Sequence, residues 1–182
     1  MKTFTKGLSI ALLLSMGFSA HAQKHVHGEG ELLITQEGSM LQMQFIIPAA
    51  DALGFEHQAA NSSDKNAINV LAQQLKNSSH AIDIKGQCIL QSTENSLAHS
   101  HSELDEHDDH DDHDDHDDHD DHDHHNVEAT YNFNCKTPVM GFSVTLFNLM
   151  PSLNALNVQW ISNTGQGSTE VTRSNPVISW QS

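Results

Sequence analysis

Val127-Glu128-Ala129-Thr130-Tyr131-Asn132-Phe133-Asn134-Cys135 alternates side-chain character at every step. Val127, Ala129, Tyr131, Phe133 and Cys135 share one side, and Glu128, Thr130, Asn132 and Asn134 share the other. A period of two belongs to a strand with one face on a core and one in water, the pattern of an antiparallel sheet. Downstream, Val139 to Phe147 is apolar enough for a central strand, and Leu149 to Leu153, with Pro151, reads as a turn or single helical turn. Leu156 to Ile161 is a further strand and Gly165-Gln166-Gly167 a turn. Val171 with Val177 to Trp180 suggests a closing hairpin.

Upstream of that stretch, residues 31–47 read as a hairpin. Leu32, Ile34, Leu41, Met43, Phe45 and Ile47 are its inward positions, Gln36-Glu37-Gly38-Ser39 its turn, and Pro48 its end. A connection over 48–61 leads to a helix capped by Ser62 or Ser63. Ile68, Leu71, Ala72 and Leu75 form its apolar stripe, and it stops near Asn77-Ser78-Ser79. A strand carrying Ile82, Ile84 and Cys88 to Leu90 follows. The expected architecture is α+β: a mainly antiparallel sheet of about seven strands with one helix, because no strand–helix alternation calls for a parallel sheet.

The first 22 residues read as a secretory signal. Lys2 and Lys6 precede an apolar run from Leu8 to Phe18, and Ala20-His21-Ala22 supplies the small-x-small cleavage site, so a mature chain starting at Gln23 and a periplasmic location are expected. No segment approaches the roughly 20 apolar residues of a membrane helix, so membrane insertion is not expected. The remaining chain, 23–182, suits one modest domain.

All 24 acidic residues lie beyond the signal, against six basic ones, and 14 of the acids fall between His99 and His125. The charge therefore belongs to one segment. Nothing in the sequence favours nucleic acid or an anionic membrane as a partner, since both need basic patches, and neither is expected. That segment repeats His-Asp-Asp with a period of three at His107, His110, His113, His116, His119 and His122. His124 and His125 extend the run, and His99 and His101 precede it. Residues 97–126 contain almost nothing apolar, so they are expected to form an insertion disordered without metal.

Imidazole suits zinc, copper and nickel, and carboxylates can complete a shell or orient the rings. Two or three histidines with a carboxylate or water make a tetrahedral zinc site, so ten histidines hold roughly two to four ions. A calcium repeat would use oxygen ligands and would not need imidazole. A plain acidic spacer leaves one histidine in three positions unexplained. The dense carboxylates should raise the histidine pKa values, so metal capture should weaken as pH falls.

Four histidines remain beyond the signal and the tract. His25 and His27, two apart, would share a strand face, and with His57 they form a candidate three-histidine site, with Glu56 or Glu29 as a further ligand. The competing reading makes them exposed polar residues, and His80 reads as surface. Cys88 and Cys135 flank the tract. In an exported chain a disulfide between them is expected, with a free pair or a thiolate site as the alternative. Such a bridge closes a loop worth roughly 4 kcal/mol and would clamp the tract at its base.

His25-Val26-His27-Gly28, Pro48-Ala49-Ala50, Gly54-Phe55-Glu56-His57, the two cysteines around a His/Asp insert, Leu146-Phe147 with Met150-Pro151, and Thr164-Gly165-Gln166-Gly167 together resemble the ZrgA-like family of exported bacterial proteins. The resemblance implies zinc binding in the periplasm in support of zinc import, with a zinc ABC importer or its solute-binding protein as partner. It also places the family's HxHG and GFEH motifs on His25, His27, Gly28 and Gly54 to His57. Met150 departs from the aromatic residue expected before the proline. The expected function is non-enzymatic capture or buffering of Zn2+. Sequestration of Cu2+ or Ni2+ is the alternative, although Met40 and Met43 lie in an apolar strand and read as core. A zinc enzyme on His25, His27 and His57 is weaker still, because Glu56 is the one evident general base and HExxH is absent.

Overall fold

The computed structural model describes residues 26–98 and 126–180. The expected signal peptide (1–22) and the His/Asp repeat lie outside the described residues.

The hairpin forms as its alternation requires. Strand β1 (Glu29–Glu37) pairs antiparallel with β2 (Met40–Pro48), placing Leu32 opposite Phe45 and Ile34 opposite Met43. Strand β5 (Asn126–Cys135) adds to β2 with Met43 opposite Tyr131 and Ile47 opposite Val127. The alternating inward positions thus fall on one face, with Leu32, Met43, Phe45 and Tyr131 fully buried there, while Leu33, Met40 and Ile46 lie on the other. Gln42, Gln44, Asn132 and Asn134 occupy the other face, where Gln42 donates to Asn132 at 3.0 Å and Gln44 to Glu128 at 3.1 Å.

The remaining strands are β3 (Ile82–Ile84), β4 (Cys88–Asn95), β6 (Gly141–Val144), β7 (Ala155–Ser162), β8 (Gly165–Thr172) and β9 (Val177–Ser179). They build a six-stranded sheet in the order β4-β5-β2-β1-β7-β8 and a three-stranded sheet β3-β6-β9. Pairing is antiparallel except between β1 and β7, which run parallel with Leu32 beside Val158. The α+β expectation therefore holds, with nine strands in two sheets.

Several local readings are revised. The segment 82–90 is two strands in different sheets, separated at Lys85-Gly86-Gln87. The segment 139–147 is strand only over β6, because Thr145 and Leu146 both donate their N–H to Ala81 O and turn the chain into a 3-10 helix at Leu146–Asn148. Gly165, Gln166 and Gly167 lie in β8, where Gly167 faces Trp160 across the ladder; the turn is Asn163-Thr164. The suggested closing hairpin does not form, since β8 pairs with β7 and β9 with β6.

A short helix α1 (Ala49–Leu53) and a longer one, α2 (Ser62–Leu75), complete the fold. Asn61, not Ser62 or Ser63, caps α2: its side-chain oxygen accepts from Asp64 N–H, while its Nδ2 donates to the Asp64 carboxylate. Ile68, Leu71, Ala72 and Leu75 bury the stripe in the same core as the sheet. The Tyr131 hydroxyl crosses that core to donate to Leu75 O at 2.8 Å, and burial pushes its phenol well above the ordinary range. Trp180 stacks on Trp160 of the large sheet and meets Phe142 of the small one edge-on, joining the two. Among the described residues no helix is long and apolar enough to cross a membrane.

Candidate metal centre

Strand directions decide what meets at each end of the six-stranded sheet. Pro48 closes β2 opposite Asn126, the first residue of β5, while Asn95 at the end of β4 lies opposite Ala129. Both described margins of the histidine tract therefore leave from one end of the sheet. The chain enters β1 at that same end, because Glu31 pairs with Ile46 near the close of β2. Helix α1 follows Pro48 there.

The exit from β4 is fastened locally. Ser96–Ala98 form a 3-10 turn, Ser96 Oγ accepts from Glu128 N–H at 3.0 Å, and Leu97 is 2 % exposed. Leu97 lines a narrow cleft together with Ala49, Leu53, Phe55, Glu56, His57 and Ile68. Leu97 and Asn126, the end residues of the expected insertion, thus belong to this turn and to β5. Glu94 and Glu128 line a second depression beside the same exit and extend the acidic field of the tract onto the sheet.

His57 reaches this position through a sequence of stops. Gly54 ends α1 in the left-handed region (φ 85°), donating its N–H to Ala50 O, a conformation that favours glycine. The chain then runs outward, and the exposed imidazole of His57 stacks on Phe55 at 5.0 Å between ring centroids. His57 Nδ1 lies 2.9 Å from Gln58 O. A carbonyl can only accept, so Nδ1 is a protonated nitrogen, and in the neutral ring Nε2 is the one open to a metal. A backbone carbonyl holding the far nitrogen is the usual support for a ligating histidine.

His27 is exposed and sits in the turn that opens β1. Gly28 (φ 84°) accepts from Asn154 N–H at 2.8 Å and Ala155 N–H at 3.0 Å, and donates to Asp51 Oδ2 at 2.8 Å. Its positive φ is the backbone conformation that favours glycine, and a Cβ there would only displace the end of the Asn154 side chain, 2.8 Å away.

The structure thus brings His27, His57 and the margins of the tract to one end of the sheet. It does not join His27, Glu29, Glu56 and His57 into a ligand cluster: among the described residues no three His, Cys, Asp or Glu stand close enough to hold a metal. His25 lies outside the described residues, as do His99, His101, His107, His110, His113, His116, His119, His122, His124 and His125. His80 is exposed, with Nδ1 3.1 Å from Gln74 O.

Cys88 and Cys135 form a disulfide, facing each other across the β4–β5 ladder. The bridge is at the opposite end of that ladder from the tract, about 20 Å away at 3.4 Å per residue between Cys135 and Ala129. The expected clamp at the base of the tract is therefore made by Leu97 and Ser96, not by the disulfide. At the disulfide end lies a cavity of about 300 Å³ over Val139, Met140 and Trp180. Its lining contains no histidine, carboxylate or thiolate, so it is not a metal site.

Two residues with structural consequences escaped the sequence reading. Asp51 is buried with its carboxylate on Gly28. Arg173 donates to four carbonyls, those of Phe147, Met150, Pro151 and Leu153, at 2.6–3.0 Å. Neither carries a periodic signal, because each acts across 20 or more residues of chain.

Comparison with known proteins gives one result. A family model described as ZrgA family zinc uptake protein matches residues 24–180. No match is found among individual curated proteins.

Proposed function

The chain belongs to the ZrgA family of zinc uptake proteins, and from that membership we propose that it is an exported, non-catalytic carrier that captures zinc in the periplasm and hands it toward import. The ten histidines from His99 to His125 are the capture element, with the interleaved aspartates as second ligands and as an electrostatic lure. At three to four ligands per ion they take roughly two to four ions. Redundant sites of this kind exchange zinc rather than store it. His25, His27 and His57 are the receiving site on the folded domain, from which a zinc ABC importer or its solute-binding protein is loaded.

The observation that carries this reading is the shared location. Both margins of the tract, the His57 turn and the turn holding His27 gather at one end of the sheet, while the disulfide and the apolar cavity occupy the other. The tract is thus tethered at its described margin, Leu97, beside His57. The free Nε2 of His57, set by the Gln58 carbonyl, supports the same reading.

The test is growth of a strain lacking this protein under zinc chelation, complemented by the wild-type chain or by a chain whose ten tract histidines are asparagine. Wild type should restore growth and the substituted chain should not. Equal rescue by both refutes the capture role. A phenotype appearing only in copper or nickel excess places the protein in metal tolerance instead.

A further inference from the structure

We propose that the open face of the six-stranded sheet docks a protein surface presenting lysine or arginine around an apolar side chain. The proposal rests on the reading that the chain passes zinc to a partner, and it names the face that partner meets.

Helix α2 and the three-stranded sheet pack on one face of the large sheet, in the core that holds Leu32, Phe45 and Tyr131. On the other face Leu33, Gln44, Ile46, Glu128 and Gln159 are half-buried or exposed. The pairing registers order this face into rows. One row runs Glu128, Ile46, Glu31, Asn157, Glu170 across β5, β2, β1, β7 and β8. In the next row Glu94 of β4 lies opposite Thr130 of β5, and Leu33 lies between Gln44 and Gln159. Leu33 and Ile46 are thus diagonal neighbours on adjacent strands, about 7–8 Å apart. Neighbouring strands stand about 4.8 Å apart, so Glu128 is about 5 Å from Ile46 in its row and Glu170 about 14 Å from it on the other side.

Exposed carboxylates at Glu94, Glu128 and Glu170 therefore ring an apolar pair. A solvated surface ordinarily intersperses both signs of charge. Of the described cations, Lys65 and Lys76 belong to α2 and its end, Lys85 separates β3 from β4, Lys136 follows β5, and Arg173 is spent on the carbonyls of Phe147 to Leu153. None falls in these rows. Glu128 accepts from Gln44 Nε2 at 3.1 Å, a neutral donor that leaves its charge uncancelled.

Charge selects the occupant. Nucleic acid and anionic lipid are repelled. A second copy would set the same carboxylates against each other, and the His99 to His125 segment brings 14 acids of its own. A divalent ion does not fit, because among the described residues no three His, Cys, Asp or Glu stand close enough to hold one. A cationic protein surface fits both features: its positive groups meet the carboxylates at the rim, and an apolar side chain meets Leu33 and Ile46 at the centre. Complementarity of this kind speeds encounter and fixes orientation. The face also runs to the exit of the tract, since Glu94 and Glu128 share a depression with Ser96. A partner docked here stands beside that exit.

The test is photocrosslinking in cells grown under zinc chelation, using the full chain with p-benzoylphenylalanine in place of Gln159, beside Leu33. A matched chain carries the same probe in place of Asn69, on α2 behind the sheet. The Gln159 probe should give a discrete protein adduct and the Asn69 probe should not. Combining Glu94→Lys, Glu128→Lys and Glu170→Lys should lower the adduct by about tenfold or more, the scale of lost electrostatic steering. Zinc stoichiometry by calorimetry and the melting profile of that chain should match the wild type. No adduct at Gln159, an equal adduct at Asn69, or an adduct undiminished by the charge reversal overturns the proposal. Should the reversed chain fail to fold, Glu94→Gln, Glu128→Gln and Glu170→Gln together decide: a weaker adduct supports the docking and an unchanged one overturns it. Growth separates the two readings. If the wild-type chain fails to restore growth under chelation, the import reading falls and the crosslink still decides the docking. If it restores growth and no adduct forms, the docking falls and the import reading stands.

Discussion

Replacing Cys88 and Cys135 together by alanine separates what the disulfide does from what the tract does. The bridge spans 47 positions of sequence. Closing a loop of that size removes about 4 kcal/mol of chain entropy from the unfolded state. For a domain of this length each kcal/mol moves the melting temperature by about 2–4 °C, so the double variant should melt about 8–16 °C lower. The melts should be recorded by circular dichroism with chelator present, because zinc bound to the native state would add its own stabilisation. Zinc capacity should behave differently. The bridge stands about 20 Å along the ladder from the exit of the tract, and that exit is held by Ser96 and the buried Leu97. Calorimetric stoichiometry at 25 °C should therefore equal that of the wild type. A melting shift under about 3 °C would refute the loop-closure reasoning. Lost zinc equivalents with an unchanged fold would refute the separation of the two ends.

Three further outcomes follow from named contacts. Tyr131→Phe should cost about 1–2 kcal/mol in urea unfolding near pH 7, because Leu75 O is left buried without its donor. Burial raises the Tyr131 phenol in the folded state, so its contribution is fully present below about pH 10, the unfolded value, and is lost as pH rises beyond it. The Phe variant should flatten that alkaline loss; an unchanged profile contradicts it. Arg173→Ala should cost about 3 kcal/mol in urea unfolding, since Phe147, Met150, Pro151 and Leu153 lose a shared cationic donor. Arg173→Lys should recover only part of this, lacking the planar fork; full recovery would show that charge alone suffices. Zinc affinity should fall steeply between about pH 7.5 and 5.5, because histidines near pKa 6.5 or above must lose a proton to bind. A flat competition titration across that range would exclude imidazole as the principal ligand.

The elements legible in the sequence are those whose cause is local. Alternation in 31–47 and 127–135 yields β1, β2 and β5, and helical spacing of Ile68, Leu71, Ala72 and Leu75 yields α2. What was illegible depends on distant partners. Strand β4 is an edge strand with Ile89 66 % exposed, so its burial pattern carries no period of two, and its split from β3 follows from sheet assignment, not composition. Strand β8 buries Val171 and little else, which left its first residues looking like a turn. The parallel β1–β7 pair joins segments more than 100 residues apart, beyond the reach of any turn signal.

The site divides in the same way. Period-three histidines announce a metal tract by composition alone. That the margins of the tract lie beside His57 required the β4–β5 register and the burial of Leu97, and Asp51 became visible only once Gly28 had folded against it.

The most direct measurement is a calorimetric zinc titration of the mature chain beside the same chain with asparagine at all ten tract histidines. Loss of the two to four tract equivalents, with about one retained, is the predicted result. An undiminished stoichiometry in the substituted chain would contradict the assignment of zinc capture to the tract.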